Sequence, residues 1–211
     1  MTVASPAPNR LTDRKRAAIV EAAIEEFRLS GYEATSMDRI AASAGVSKRT
    51  VYNHFPSKEV LFAQILQQLW DRSAAAVDVA YRPDRPLRAQ LLELITQKLR
   101  LLGDEAFVSL ARVAIAAGIH SPERAQEMVA RMGDREEGLT RWIRSAAADG
   151  RLTTPDPVFA SLQLQGLVKA FAFWPQVTLG QPPLTPDRQA LVAESATDLF
   201  LAHYGRQPGS H

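Results

Sequence analysis

The sequence contains no cysteine among its 211 residues. This absence excludes disulfide bonds, thiolate nucleophiles and cysteine-based zinc sites, and it is typical of proteins from reducing compartments. The four histidines, His54, His120, His203 and His211, are scattered and do not form an HExxH motif. We find no nucleophile–base pair or carboxylate cluster. We therefore expect no metal site, no cofactor and no enzymatic activity.

Long apolar runs are also missing. No stretch approaches the roughly 18 apolar residues that are needed to cross a bilayer. The first ten residues, MTVASPAPNR, lack the basic and apolar regions of a signal peptide. We therefore expect a soluble, cytoplasmic protein without a membrane partner.

Charge of either sign is nearly balanced, with 25 Lys and Arg against 23 Asp and Glu, for a net charge of +2. The excess lies in residues 1–60, which carry nine basic and seven acidic residues, whereas residues 61–211 carry sixteen of each. The main basic positions of the first segment are Arg14, Lys15, Arg16, Lys48, Arg49 and Lys58. This distribution weakly supports a basic face for nucleic acid.

Apolar residues recur at helical spacing between glycines and prolines, and no strand-length run of β-branched residues has a period of two. The pattern predicts an all-α chain of about nine or ten helices. The predicted helices cover roughly residues 12–30, 36–44, 47–55, 58–81, 87–101, 104–119, 121–131, 134–149, 155–178 and 187–204. Residues 1–10 and 206–211 are predicted to be flexible tails.

Residues 35–58 have the pattern of a helix-turn-helix. Gly45 permits a sharp turn between two short helices, and Ala41 keeps the first helix thin where the second one crosses it. Val46 is expected to fill the gap between the two helices. The motif alone is compatible with a structural role, so its outward face decides the interpretation.

That outward face follows from the advance of about 100° per residue in a helix. Val51 and Phe55 are four residues apart and are expected to face the core. Arg49 and Asn53 then point outward from the opposite side. Arginine can form paired hydrogen bonds with guanine and asparagine with adenine, which predicts that these two side chains read base edges.

A second set of residues offers hydroxyl, ammonium or imidazole donors that suit phosphate oxygens. The predicted phosphate contacts are Thr35, Ser36, Lys48, Thr50, Tyr52, His54 and Lys58. Ser47, at the start of the second short helix, completes the predicted DNA-binding set. A purely structural motif leaves Tyr52, His54 and Lys58 unexplained.

This segment resembles the N-terminal domain of TetR-family repressors over about residues 12–62. The matching features are Gly31-Tyr32-x-x-Thr35, Ile40-Ala41, Ala44-Gly45-Val46-Ser47, Val51-Tyr52, His54-Phe55, Ser57-Lys58-Glu59 and Leu61-Phe62. The resemblance implies that Tyr52, His54 and Lys58 contact phosphates. It also implies that Arg49, Thr50 and Asn53 face the bases.

The C-terminal part resembles the AefR-type subgroup of that family. The marks are Arg112-x-x-Ile115, Ser121-Pro122-Glu123 and Gly150-Arg151-Leu152. The resemblance implies a DNA-binding domain at residues 11–57 and a ligand-binding and dimerisation domain at residues 58–205.

The second domain is rich in apolar residues and is expected to hold an effector pocket. The candidate pocket residues are Leu66, Trp70, Phe107, Arg112, His120, Trp142 and Phe171. Most of the aromatic residues among them are equally well explained as core. The resemblance also implies a four-helix dimer interface from the last two long helices. Its candidate residues are Leu162, Gln165, Gly166, Lys169, Leu191 and Ala202.

The sequence therefore predicts a DNA-binding transcriptional regulator, a repressor that binds a palindromic operator as a homodimer. A small apolar or amphipathic effector is expected to release it from double-stranded DNA. The alternative is a helical small-molecule-binding protein or enzyme in which the helix-turn-helix is incidental. A constitutive architectural DNA-binding protein fits less well, because such proteins are usually shorter and far more basic.

Overall fold

The computed structural model describes residues 10–75, 79–132 and 138–206, and this part of the chain is helical. Its eleven helices are α1 (Arg10–Ala34), α2 (Met37–Ser43), α3 (Lys48–His54), α4 (Lys58–Ala75), α5 (Leu87–Leu102), α6 (Glu105–His120), α7 (Pro122–Met132), α8 (Gly138–Ala148), α9 (Pro157–Ala172), α10 (Trp174–Leu179) and α11 (Pro186–Tyr204). Extended pairing within these ranges is limited to one antiparallel bridge between Leu152 and Gly205. The predicted all-α fold is confirmed.

Some predicted boundaries lie outside the described residues. These are residues 1–9 and 207–211 of the predicted tails, the start of the helix predicted from residue 134, and His211. Arg10 is the first residue of α1, and the Arg206 N–H donates to the Arg151 carbonyl over 3.1 Å. No helix in the described ranges is long and apolar enough to cross a membrane.

The helix predicted to start near residue 155 and to end near residue 178 is two helices, α9 and α10. They meet at Phe173, whose backbone is non-helical (φ −120°, ψ −63°). Pro175 explains the break, because its ring clashes with the preceding turn and it has no N–H to donate. The same proline is well tolerated in the first turn of α10.

The helix predicted to reach Tyr81 ends earlier, because the segment after it is held by tertiary contacts. The buried Gln90 side chain accepts a hydrogen bond from the Arg82 N–H (2.8 Å) and donates to the carbonyls of Arg82 (2.8 Å) and Arg85 (3.0 Å). These bonds satisfy backbone groups of a non-helical turn, so this turn is stable without helical pairing.

The described residues form two compact units. The first comprises the chain up to Leu69 together with Ser109–Arg131, and the second comprises Trp70–Val108 together with the described residues from Met132 onward. In the first unit α1, α2 and α3 pack against one another. An aromatic cluster of Phe27, Tyr32 and Phe62, with ring centroids 4.9–6.0 Å apart, supports their core.

In the second unit α11 packs on α5 and α9, and α8 packs on α9. Its fully buried side chains include Leu91, Leu94, Trp142 and Ile143. The Trp142 ring meets Tyr81 edge-on at 5.9 Å, and its indole N–H donates to Gln90 over 3.4 Å. The helices of this unit therefore surround an apolar core.

Candidate nucleic-acid interface

The two short helices α2 and α3 begin at serine caps. The Ser36 hydroxyl oxygen accepts a hydrogen bond from the Arg39 N–H over 3.2 Å, and the Ser47 oxygen accepts one from the Thr50 N–H over 3.1 Å. Each cap satisfies one of the N–H groups that a helix start leaves unpaired. Both serines are exposed, so the caps lie at the protein surface.

The turn between the helices depends on Gly45, whose φ of +64° lies in the left-handed region. L side chains rarely adopt this conformation, whereas glycine does so without strain. The Val46 N–H donates to the Ala41 carbonyl over 3.1 Å and closes the end of α2. The backbone thus forms the helix-turn-helix that the sequence predicts.

The helix α3 presents a buried and an exposed side. Val51 and Phe55 are almost completely buried, whereas Arg49, Tyr52 and Asn53 are exposed. Arg49 and Asn53 lie one turn apart on the exposed side. The helix therefore offers a guanidinium and an amide to a partner outside the first unit.

Other predicted contacts surround this side. Thr50 and His54 are half-buried, and the Thr50 and Ser47 hydroxyl oxygens lie 2.8 Å apart. Lys48 donates from its ammonium to Asp38 over 2.6 Å, and this hydrogen bond raises the pKa of Lys48. The carboxylate of Asp38 therefore partly neutralises the positive charge of Lys48.

Thr35 has a different environment from the one predicted. It is buried, and its hydroxyl group lies 2.8 Å from the Gly31 carbonyl oxygen and 3.1 Å from that of Glu26. This hydroxyl holds the end of α1 and does not face outward. We therefore correct its assignment from a phosphate contact to a residue that supports the motif.

Lys58 also has an internal role. Its ammonium donates to the carbonyl oxygens of Tyr32 (2.7 Å), Thr35 (3.0 Å) and Glu33 (3.3 Å). It lies 4.4 Å from the centroid of the Tyr32 ring. A cation at the carbonyl end of a helix is favourable, so this side chain ties the start of α4 to the end of α1.

A second cation, which no sequence pattern indicates, lies on the Tyr32 ring. The Arg124 guanidinium lies 4.1 Å from the ring centroid and pairs with Glu33 over 2.8 Å. Burial, together with the nearby negative charge of Glu59, raises the pKa of Tyr32 to about 12. The phenol therefore stays protonated between the two cations at neutral pH. This stack depends on α7 folding back onto α1, which local sequence patterns do not reveal.

The residues predicted to line an effector pocket are spread over different environments. Leu66, Phe107 and Trp142 are buried, Trp70 and Arg112 are half-buried, and His120 and Phe171 are exposed. Leu66 lines a small cavity in the first unit, next to Tyr32 and Arg124. The exposure of His120 and Phe171 corrects their assignment, because neither side chain is enclosed within its own unit.

A different set of residues lines a cavity in the second unit. They are Ser73, Leu94, Ile95, Lys98, Gly138, Leu139, Leu164, Gln165, Val168 and Lys169. The free volume is about 20 Å³. This is enough for about one water molecule. A signal for it exists in the sequence: Lys98 follows Leu91 and Leu94 by seven and four residues, so it continues their apolar stripe.

The predicted dimer residues divide between two sides of the last long helices. Leu162 and Gly166 on α9 and Leu191 and Ala202 on α11 are exposed. Gln165 is buried and lines the cavity, which corrects its assignment to an exposed surface. Lys169 also lines the cavity but is half-buried, so its place in a dimer interface stays a prediction. The exposed side of α9 is mainly apolar and comprises Val158, Phe159, Leu162, Gly166, Leu167, Ala170 and Phe171.

A helix-turn-helix with exposed donors on its second helix, joined to a separate helical unit, defines a DNA-binding transcriptional regulator. Comparisons with known proteins agree. Residues 19–65 match the model for bacterial regulatory proteins of the tetR family, and residues 89–206 match the C-terminal domain of AefR-like transcriptional repressors. The chain belongs to the TetR family of transcriptional regulators.

Similar proteins support this assignment. A TetR-family regulator from Pseudomonas syringae pv. tomato is 54% identical, with a TM-score of 0.84 over 92% of this chain and 98% of that one. The flavonoid-responsive regulator FrrA is 29% identical, with a TM-score of 0.72 over 94% of this chain and 100% of that one. The regulator RutR of Escherichia coli is 29% identical over 80% of this chain and 79% of its own length.

Proposed function

We propose that this regulator is a repressor that binds a palindromic operator as a homodimer and leaves it when a small apolar or amphipathic effector binds. The observation that carries the DNA-binding part is the exposed side of α3. It presents Arg49 and Asn53 one turn apart, opposite the buried Val51 and Phe55. A short helix of this kind fits into a major groove.

The side chains divide into two roles in this proposal. Arg49 and Asn53 read base edges, because both can form paired hydrogen bonds with a purine. Exposed or half-buried donors around them position the protein on the phosphates without reading sequence. These donors are Ser36, Ser47, Lys48, Thr50, Tyr52 and His54, and Lys58 joins them when its ammonium turns outward.

Dimer formation is supported by the apolar side of α9 and by Leu191 and Leu199 on α11. A row of exposed apolar side chains on neighbouring helices loses contact with water when a second copy covers it. A twofold dimer then presents two recognition helices to two half-sites. Their separation corresponds to one or more turns of DNA, with about 34–36 Å per turn.

Effector control is supported by the second unit, which has its own core, and by the relative FrrA, which is described as flavonoid-responsive. An effector acts only if its affinity differs between the DNA-bound and the released conformations. α4 contributes residues to both units, so a shift of this helix would change the spacing of the recognition helices. Such a protein works in the cytoplasm, where it has access to the DNA.

The test is binding of the purified protein to duplexes that carry the region upstream of its own gene. We expect saturable binding that weakens as salt is raised, because cationic side chains displace counterions from phosphates. A duplex of the same length and base composition but shuffled sequence is the control. If no duplex shows salt-sensitive binding that exceeds the control, the proposal fails.

A further inference from the structure

The start of α7 places an arginine against the end of α1. Ser121 caps the helix, because its hydroxyl oxygen accepts a hydrogen bond from the Arg124 N–H over 3.3 Å, and Pro122 is the first helical residue. Arg124 therefore lies in the first turn of α7. The Ser121-Pro122-Glu123 turn, one of the marks of the AefR-type subgroup, thus determines where the Arg124 side chain begins.

The Arg124 side chain joins three helices of the first unit. Its guanidinium lies 4.1 Å from the centroid of the Tyr32 ring, donates to the Glu33 carboxylate over 2.8 Å, and donates to the Ala117 carbonyl in the last turn of α6 over 3.4 Å. A planar guanidinium can stack on a ring and donate hydrogen bonds from its edge at the same time. Tyr32 is only 7% exposed, and a cation–π contact is stronger where water is excluded.

The end of α1 depends on such side-chain contacts because its helix is interrupted. Gly31 has a non-helical backbone (φ 79°, ψ 162°), so an unbroken helix does not hold the residues that follow it. Those residues lead directly to Ser36, the cap of α2, and hence to the helix-turn-helix. Lys58 holds this segment from α4 through backbone carbonyls, and Arg124 holds it from α7 through side chains.

Arg124 thereby connects two parts of the chain that have different proposed roles. The end of α1 belongs to the helix-turn-helix part, whereas α6 and α7 lie in the part that matches AefR-like C-terminal domains. The proposed dimer surface on α9 lies in that C-terminal part as well. In a twofold dimer, the spacing of the recognition helices depends on how firmly each helix-turn-helix is held to the rest of its chain.

We propose that Arg124 is a positioning residue for operator binding: it holds the end of α1 on α6 and α7 and so keeps the two recognition helices of the dimer at one spacing. It acts through Tyr32 and Glu33 and does not itself contact DNA. The inference rests on the proposed function, since it concerns how the proposed dimer binds its operator. A looser attachment leaves the base contacts of Arg49 and Asn53 available but allows several spacings, and this freedom must be lost on binding.

The experiment measures how strictly the full-length protein selects the spacing of half-sites. Fluorescence anisotropy compares binding to the palindrome that the wild type enriches from random oligonucleotides with binding to a duplex whose half-sites are two base pairs further apart. This insertion moves one half-site by about 7 Å and rotates it by about 70° around the DNA axis.

We expect the wild type to prefer the enriched spacing by at least about 100-fold, because the longer duplex offers only one half-site in register. Arg124→Met keeps the apolar stem and removes the guanidinium. It should reduce this preference at least about tenfold, chiefly through weaker binding to the enriched palindrome.

Arg28→Met is the matched control, because Arg28 is an arginine of the same unit that pairs with Glu25 within α1 over 2.6 Å. It removes the same charge but no contact between helices, so the spacing preference should stay at the wild-type value. Tyr32→Phe keeps the ring face and should also retain the preference. Glu33→Lys places an ammonium against the guanidinium at a side chain that is 69% exposed, and it should weaken the preference.

Thermal unfolding shows whether each variant is folded, and Glu33→Lys keeps the test decisive if Arg124→Met is not. An unchanged spacing preference in Arg124→Met and Glu33→Lys would overturn the positioning role, and lower stability alone would identify Arg124 as a structural residue. An equal loss in Arg28→Met would also overturn it, because the change in charge would then explain the result.

The two proposals can fail separately. Salt-sensitive binding by the wild type, with equal affinity for both spacings or with variants that behave as the wild type, leaves the DNA-binding function standing and refutes the role of Arg124. Absence of salt-sensitive binding to any duplex refutes the proposed function itself. Loss of the spacing preference in Arg124→Met and Glu33→Lys, with the preference intact in Arg28→Met, supports both.

Discussion

In the helix-turn-helix unit, some polar side chains make contacts within the protein and others remain exposed. Lys58 was expected to be exposed to DNA but makes internal contacts. Its ammonium is held by three carbonyl oxygens and the Tyr32 ring in the structure without DNA. Family resemblance alone would make it a phosphate contact. The geometry indicates that it first stabilises the corner between α1 and α4.

Replacement of Lys58 by methionine is therefore expected to destabilise the protein in the absence of DNA. The variant keeps the apolar stem but loses the charge-assisted hydrogen bonds and the cation–π contact, which we expect to lower the free energy of unfolding by about 1–2 kcal/mol. Denaturant unfolding measures this change. Lys15→Met, at an exposed position of α1, is the control and should change it by less than about 0.5 kcal/mol. Equal stability of the Lys58 variant and the wild type would show that the internal contacts contribute nothing.

The sequence predicts residue positions well where one helix decides them. The exposed side of α3 follows from the spacing of Val51 and Phe55. Thr35 and Gln165 were misplaced for a different reason. The Thr35 hydroxyl contacts the backbone carbonyl of Glu26, which lies nine residues earlier in the chain. The cavity beside Gln165 is lined mostly by residues of other helices. Periodicity within one element contains no information about such partners.

At the scale of elements, the turn between α2 and α3 depends on the backbone conformation of Gly45. Nothing lies within 4 Å of a Cβ built on Gly45, so a substitution there meets no steric obstacle. Its cost is conformational, since φ is +64°. Gly45→Ala is expected to reduce the free energy of unfolding by about 1–2 kcal/mol.

Gly45→Asn separates this cause from a general effect of adding a side chain. Asparagine tolerates the left-handed region better than alanine, so we expect a smaller loss of stability despite its larger size. Denaturant unfolding of the two variants decides the matter. If the asparagine variant is the less stable of the two, backbone conformation is not what the position requires.

Serine caps mark the starts of α2 and α3 as the sequence predicts, whereas the helix predicted to end before Gly31 is kinked at that residue and continues to Ala34. Pro175 was misjudged, because a proline near the end of a long apolar run was included in the helix that it breaks. The end of α4 was missed because the segment beyond it is held by Gln90, a buried side chain of the next helix. Tertiary hydrogen bonding decides such boundaries, and local propensity does not.

At the scale of the whole molecule, the chain divides differently from what sequence alone suggests. Ser109–Arg131 belongs to the compact unit that contains the helix-turn-helix, through contacts such as Arg124 on Tyr32. The sequence-based division at residue 58 remains a prediction about function. Contacts between segments about ninety residues apart leave no trace in composition or spacing.

The dimer is tested by a charge on the outer side of α9. Leu162→Glu places a carboxylate at a residue that is 61% exposed in the single chain and would be covered in the dimer. A twofold axis repeats the change, so we expect the dimer to weaken at least about 100-fold. Sedimentation velocity measures the change.

Leu29→Glu is the matched control, because Leu29 is 63% exposed on α1, in the other unit. It should leave the dimer intact. If Leu162→Glu sediments as the wild-type protein does, the surface on α9 is not the interface.

The central claim is that α3 reads DNA sequence as part of a twofold dimer, and selection from random oligonucleotides tests it most directly. The wild-type protein is expected to enrich a palindrome with two equivalent half-sites. Arg49→Ala should still bind DNA but lose base preference at one position in each half-site, which corresponds to about 1–3 kcal/mol of discrimination. Enrichment of no palindrome by the wild type, or of the same motif by both proteins, would contradict the account.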